Sequence, residues 1–358
     1  MTVVRKRRAG DGLSRLALVR RGILVRLVVV GLGAAAVALA VALFVPWLPT
    51  PASKQADRID FVFWFVSGIS IAIFAIVAAV ILYAIVRFRA RPDDDSDGAP
   101  IHGHTGLEIA WTAVPAILVT AISVVSAVAL AENERLPKKH VQVDVTAQQF
   151  AWSFTYPKYK GLTTSTLHLP IREAVELKLR SKDVIHSFWV PQFGQKQDAV
   201  PGITTRLVIT PKRFGTYPVV CTELCGEGHA VMRTTAVVMT PHGFAGWVKA
   251  EQAAAAKASQ APAGAGPGLA VFKSAGCSGC HTFQPAASTA TTGPDLDNLK
   301  AAAQQAGKPL EPFVRQSIVD PNAYIAKGYQ PNIMPGTFGS LPKSQLDALV
   351  QFIVQGTK

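Results

Sequence analysis

Three long apolar runs, Leu27–Val45, Phe61–Val86 and Ile109–Leu130, fill the first third of the chain, and none recurs after Leu130. Each is long enough to cross a hydrocarbon core of roughly 30 Å as a helix, the first only just. Between the second and third, residues 87–108 are polar. Asp93, Asp94, Asp95, Asp97 and Gly98 read there as a solvated loop closing a helical hairpin. From Val141 the pattern becomes short and alternating, in Val141–Val145, Ala174–Leu179, Thr205–Ile209, Thr216–Val220 and Thr234–Met239. Runs of this length between turns such as Pro201-Gly202 and Pro211 predict an antiparallel sandwich or barrel. Residues 251–268 are almost entirely Ala, Gly, Pro, Ser, Gln and Lys, too poor in large apolar side chains to pack a core, and read as a linker. From Leu269 the chain reads as a compact set of short helices. The last carries Leu346, Leu349, Val350 and Ile353 at i, i+3, i+4, i+7 spacing.

Charge refines this picture. Of the net +13, a surplus of seven lies before the first apolar run, where Arg5, Lys6, Arg7, Arg8, Arg15, Arg20, Arg21 and Arg26 face only Asp11. A basic cluster beside an apolar helix is a topology signal that keeps its side in the cytoplasm, and it disfavours a nucleic-acid-binding arm. Counting spans from that anchor puts residues 46–60 outside, Arg87-Phe88-Arg89-Ala90-Arg91 inside, and everything after Leu130 outside. Leu27–Val45 reads either as a retained anchor or as a signal sequence, with Thr50-Pro51-Ala52 a passable cleavage site.

The four cysteines would make two disulfides in an oxidising compartment, but their companions point elsewhere. Cys221-x3-Cys225 is followed by His229 and Met232. Thiolates, imidazole and thioether on one loop are a soft ligand set that favours copper. One more ligand is needed from a distant segment, and His186, placed between two predicted strands, is the candidate. Cys277-x2-Cys280-His281 is the haem c attachment pattern, in which two thiols form thioethers while the adjacent imidazole reaches the iron. Met334, in Asn332-Ile-Met-Pro-Gly336, is the expected sixth ligand, because a thioether raises the haem potential toward that of a donor. His140, His168 and His242 read as solvated, and His102 and His104 as ordinary loop residues.

The motif H…C-x-E-x-C-x3-H-x2-M, complete here, resembles subunit II of the haem–copper cytochrome c oxidases, a likeness that covers residues 55–240. Residues 269–358, with Gly293-Pro-Asp-Leu296 and the Met-Pro pair, resemble class I cytochromes c. The resemblance implies a binuclear CuA centre in which Cys221 and Cys225 bridge two copper ions. His186 and His229 cap them, Met232 is a weak ligand, and Glu223 ligates through its backbone carbonyl. It further implies that the Glu223 carboxylate reaches a magnesium site shared with subunit I, and that Asp198–Gly202 faces subunit I. Glu108, in Glu108-Ile-Ala-Trp111-Thr112-Ala-Val-Pro115, resembles the acid at the mouth of a proton channel running into subunit I. On physics alone it is a dipole partner at a helix N-terminus. Where members that dock soluble cytochromes carry a surface Trp, this chain has Phe150, and nearby Trp152 reads as core.

The expected architecture is multidomain: a basic N-terminus and apolar helix (1–52), a membrane α-helical hairpin (53–135), an all-β cupredoxin domain (136–245), a linker (246–268) and an all-α cytochrome c domain (269–358). The expected function is electron input to a respiratory terminal oxidase, from haem c to CuA and on to subunit I, where oxygen becomes water and protons are pumped. Partners are subunit I, subunit III, an electron-donor cytochrome or cytochrome bc complex, and membrane lipid. A flexible linker would hold the haem at an effective concentration on the order of millimolar, and such a tethered donor should use a different surface from that of a transient one. A copper-containing nitric oxide reductase subunit and a membrane-anchored copper chaperone remain alternatives. The chaperone would not need Met232, a second membrane helix or a covalent haem.

Overall fold

The computed structural model describes residues 10–89, 100, 102–259 and 265–358. The basic residues at 5–8, the end of the inner cluster at 90–91 and the acidic stretch at 93–98 lie outside the described residues. The described residues fall into two compact units, one within 1–49 and 60–129, the other within 50–59 and 130–358.

The first unit holds the apolar helices α1 (Gly10–Phe44), most of α2 (Lys54–Arg87) and α3 (Thr105–Glu134). Each contains a span long and apolar enough to cross a membrane, and side chains such as Phe74, Ile76, Ile117 and Val119 are exposed, as lipid-facing groups are. In α3, Pro115 cannot donate an N–H to the preceding turn.

The second unit begins with a sandwich of two five-stranded sheets. One is ordered β3 (Leu162–Thr164), β2 (Ala151–Tyr156), β1 (Val141–Gln148), β5 (Val175–Ser181) and β8 (Thr205–Ile209). The other is ordered β4 (Leu167–Pro170), β10 (Arg233–Met239), β9 (Gly215–Cys221), β6 (His186–Trp189) and β7 (Lys196–Ala199). The expected all-antiparallel pairing is corrected at two places, since β1 pairs in parallel with β5 and β4 with β10. Their crossover connections bring chain-distant segments side by side. Val143, Phe154, Leu177, Phe188 and Val219 meet between the sheets, each fully buried. At roughly 1.5–3 kcal/mol per large apolar side chain, this core is a firm platform for loops at its end.

Residues 50–59 belong with the sandwich. Ser53 Oγ donates to Phe193 O (2.8 Å), and Gln55 Oε1 accepts from the Thr210 N–H (2.9 Å). Helix α4 (Pro241–Ser259) then lays Phe244 and Val248 on the sandwich and stacks Trp247 on His168 at 4.1 Å. The stretch read as linker from residue 251 is therefore helical to Ser259, because its Ala run is a strong helix former. His168, expected to be solvated, is covered by that stacking.

The remaining module packs α5 (Ala265–Ser274), α6 (Leu299–Gln305), α7 (Leu310–Val319) and α8 (Lys343–Gly356) around Phe272, Phe283 and Phe352. The three rings lie 5.3–5.8 Å apart. In α8 the i, i+3, i+4, i+7 face is buried at Leu349, Val350 and Ile353, with Leu346 at its edge.

Candidate metal centre and haem pocket

Strand β9 ends at Cys221, and the following loop turns back through Cys225 and His229 into Met232 and β10. Two buried sulfurs, Cys221 Sγ and Cys225 Sγ, stand 3.8 Å apart as free thiols. His186 Nδ1 lies 3.9 Å from the first, and His229 Nδ1 lies 3.6 Å from the second. Met232 Sδ is 3.8 Å from Cys225 Sγ, and the Glu223 carbonyl is 3.3 Å from Cys221 Sγ. All six residues expected from the sequence converge. His186 does so as the first residue of β6, paired with Ala199 and fully buried, and not from a loop between strands. Among the described residues, the donor atoms of His186, Cys221 and Cys225 lie within 4.8 Å of one another. Soft, closely spaced sulfur and imidazole donors fit copper.

The electrostatics favour one thiolate in the pair. Burial opposes ionisation of Cys221, but the hydrogen bond with His186 brings its pKa down to about 6. Cys225 is pushed up to about 12 by burial and by the neighbouring Cys221 charge. Burial likewise opposes protonation of His186, yet Cys221 and Asp183 together hold its pKa above the usual imidazole value.

Asp183 was not singled out by the sequence. Its Oδ1 accepts from His186 Nε2 at 2.9 Å, which leaves Nδ1 facing the sulfur. Its carboxylate also accepts the N–H groups of Gln149 and Val184, both at 2.7 Å. Burial opposes its charge, but these donors keep its pKa below the usual carboxylate range. Gln149 then reaches the copper loop directly, donating Nε2–H to the Cys225 carbonyl at 2.6 Å. The neighbouring Phe150 ring covers the loop at Gly228, where an added methyl would stand 2.3 Å from the ring. Trp152, read as core, is buried with its ring edge-on to Phe188 at 5.5 Å.

In the helical module a largely apolar pocket is lined by Cys277, His281 and Met334 together with Phe272, Leu299, Val314 and Tyr324. His281 Nδ1 donates to Pro294 O at 2.8 Å, so Nε2 is the free ligand nitrogen. Gly293 makes room for that ring, since a methyl there would lie 2.7 Å from it. Burial pushes the Cys277 and Cys280 thiols up to about 12 and about 11. An apolar pocket lined by Cys277, an oriented imidazole and a thioether, with Cys280 on the adjoining cleft, fits a covalently attached haem.

Glu108 sits in the first turn of α3, exposed, and accepts the His104 N–H (3.1 Å), while His104 Nδ1 accepts the Leu107 N–H (3.1 Å). His104 is thus a helix cap and not an ordinary loop residue. Glu223 is exposed on the copper loop. His140 is half-buried, with Nε2 3.6 Å from the Glu176 carboxylate.

Known proteins match over most of the chain. Family profiles for the transmembrane domain of cytochrome c oxidase subunit II, its periplasmic domain and cytochrome c match residues 39–128, 162–239 and 265–357. Cytochrome c oxidase subunit 2 of Thermostichus vulcanus is 36% identical over 262 residues, 58% of this chain and 79% of that protein. The Bacillus subtilis (strain 168) protein of the same name is 30% identical over 335 residues, 86% of this chain and 91% of that one. Among solved structures, the periplasmic domain of subunit II of cytochrome oxidase of Bradyrhizobium japonicum is 27% identical. It covers 33% of this chain and 98% of that one, with a TM-score of 0.32.

Proposed function

Because the chain belongs to the cytochrome c oxidase subunit II family and carries a C-terminal cytochrome c domain, we propose that it takes electrons from an external donor and delivers them to subunit I, where oxygen is reduced to water with proton pumping. Family membership makes it a membrane-bound oxidoreductase subunit that assembles with other oxidase subunits and uses copper and haem. The finer assignments rest on this chain's own residues.

Cys277 and Cys280 would hold the haem by thioethers, with His281 and Met334 supplying the iron's nitrogen and sulfur ligands. Cys221, Cys225, His186, His229, Met232 and the Glu223 carbonyl would together hold two copper ions. The bound groups supply one-electron carriers, and the protein holds them dry and in fixed orientation. Asp183 fixes the His186 tautomer, Pro294 fixes that of His281, and Phe150 covers the copper loop against water. Glu108 marks the mouth of a proton path into subunit I, the Glu223 carboxylate contributes to a magnesium site shared with that subunit, and subunit III completes the complex. The copper and haem portions lie on the outer face of the membrane, in reach of a donor cytochrome or a cytochrome bc complex.

One observation carries this reading: two cysteine sulfurs 3.8 Å apart, each with its own imidazole nitrogen within 4 Å. A single-copper electron carrier is satisfied by two imidazoles and one thiolate, so the second thiolate is what calls for a second metal. The purified complex should consume oxygen when given a reduced donor, with no nitric oxide turnover. Nitric oxide consumption in place of oxygen uptake would replace the oxidase reading with that of a nitric oxide reductase.

A further inference from the structure

The turn between β1 and β2 has two faces. On one, Gln149 grips the copper loop through the Cys225 carbonyl. On the other, the preceding Gln148 donates from Nε2 to the carbonyl of Ala275, one residue past the end of α5 and two before the first haem cysteine. Lys182, beside the turn, completes the second grip by donating Nζ–H to Gln148 Oε1 (2.9 Å) and to Ser274 O (2.8 Å). The haem-binding loop comes in close. A methyl on Gly279, between the two haem cysteines, would stand 2.8 Å from the Ala151 side chain. Phe150, Cys277, Cys280 and Met334 line one shared cleft.

We infer that Gln148 and Lys182 are positioning residues that latch the haem module onto the β1–β2 turn, so that Phe150 lies between the haem cysteines and the copper loop in the pose from which the electron crosses. This deepens the electron route proposed above and rests on it. The step they serve moves one electron from the haem iron to the copper pair, oxidising the former and reducing the latter, with no bond made or broken. The tethered donor therefore uses the turn that carries Phe150, whereas the sequence suggested a different surface. A lysine donating to two neutral oxygens closes a carbonyl that the end of α5 leaves without a helical partner. Its exposed position means that its replacement does not disturb either core.

The test uses the intact oxidase complex carrying Gln148→Leu with Lys182→Met, and separately Ala151→Trp, which wedges the haem loop away. Two readouts are compared with the parent: hydrogen exchange of the backbone amides in 148–152 and 275–281, and the rate of copper reduction after photochemical reduction of the haem, at two solvent viscosities. Loss of three hydrogen bonds should speed exchange by about tenfold or more and slow the transfer by a similar factor. Transfer should also become viscosity-dependent, because the module must now re-dock. Haem and copper spectra should stay as in the parent, and Lys182→Arg should restore the rate. Unchanged exchange, or faster exchange with an unchanged transfer rate, overturns the latch. If the parent complex itself shows no copper reduction after its haem is reduced, the proposed electron route fails instead.

Discussion

The copper and haem sites are built by opposite strategies within one compact unit. At the copper site, donors from β6, β9 and the following loop each stand within 4 Å of a neighbouring donor on a packed sandwich. At the haem site Cys277, His281 and Met334 line a pocket whose walls are mostly apolar side chains. The first site is assembled by the fold before anything binds. The second is a shell of apolar side chains in which burial raises the Cys277 and Cys280 thiols above the ordinary value. Metal loss should therefore leave the sandwich standing, while haem loss should collapse the module.

The largest effect expected is from Cys277→Ser with Cys280→Ser. Without thioethers the haem should be lost on denaturing gels and residues 265–358 should become protease-sensitive, a loss on the order of 5 kcal/mol or more, comparable to the stability of a small domain. Copper resonance should persist. Protease resistance equal to the parent's would show that the helical module, too, is prebuilt.

Cys225→Ser comes next. It should abolish the copper signal and electron delivery while the sandwich stays folded, costing roughly 1–3 kcal/mol for one buried hydroxyl. Thermal unfolding of the copper-free variant checks this, and global unfolding at ambient temperature would mean that the sandwich depends on its metal. Asp183→Asn should keep the fold and lower copper affinity about 10- to 100-fold by loosening His186, as measured by competition with a chelator. Affinity equal to the parent's would remove Asp183 from the site.

The smallest effect is a titration. Cys221 is an acid whose folded pKa, about 6, lies below the ordinary thiol value of 9.0. The stability its thiolate adds is fully present above pH 9 and is lost as pH falls through about 6. Ultraviolet absorbance of the copper-free protein should show one thiolate with a midpoint near pH 6. A single step near pH 9 for every cysteine would show that His186 does not lower it.

The sequence revealed these sites unevenly, and the reason is distance along the chain. Cys221 to Met232 and Cys277 to His281 sit on single loops, so spacing alone exposes their ligand sets. The alternating runs at 205–209 and 234–239 likewise show their strands, because one face of each is core. What stayed hidden joins residues far apart. Asp183 to Gln149, Gln149 to Cys225 and Gln148 to Ala275 span 34, 76 and 127 positions, and nothing in local pattern links them. His168 looks solvated until α4 brings Trp247 over it, and that helix was itself obscured by an alanine-rich composition shared with linkers.

The central claim is that Cys221 and Cys225 bridge two copper ions which act as one centre. Electron paramagnetic resonance of the oxidised, copper-loaded complex tests it most directly. One unpaired electron shared equally by two copper nuclei is the predicted result; hyperfine structure from a single nucleus would contradict the account.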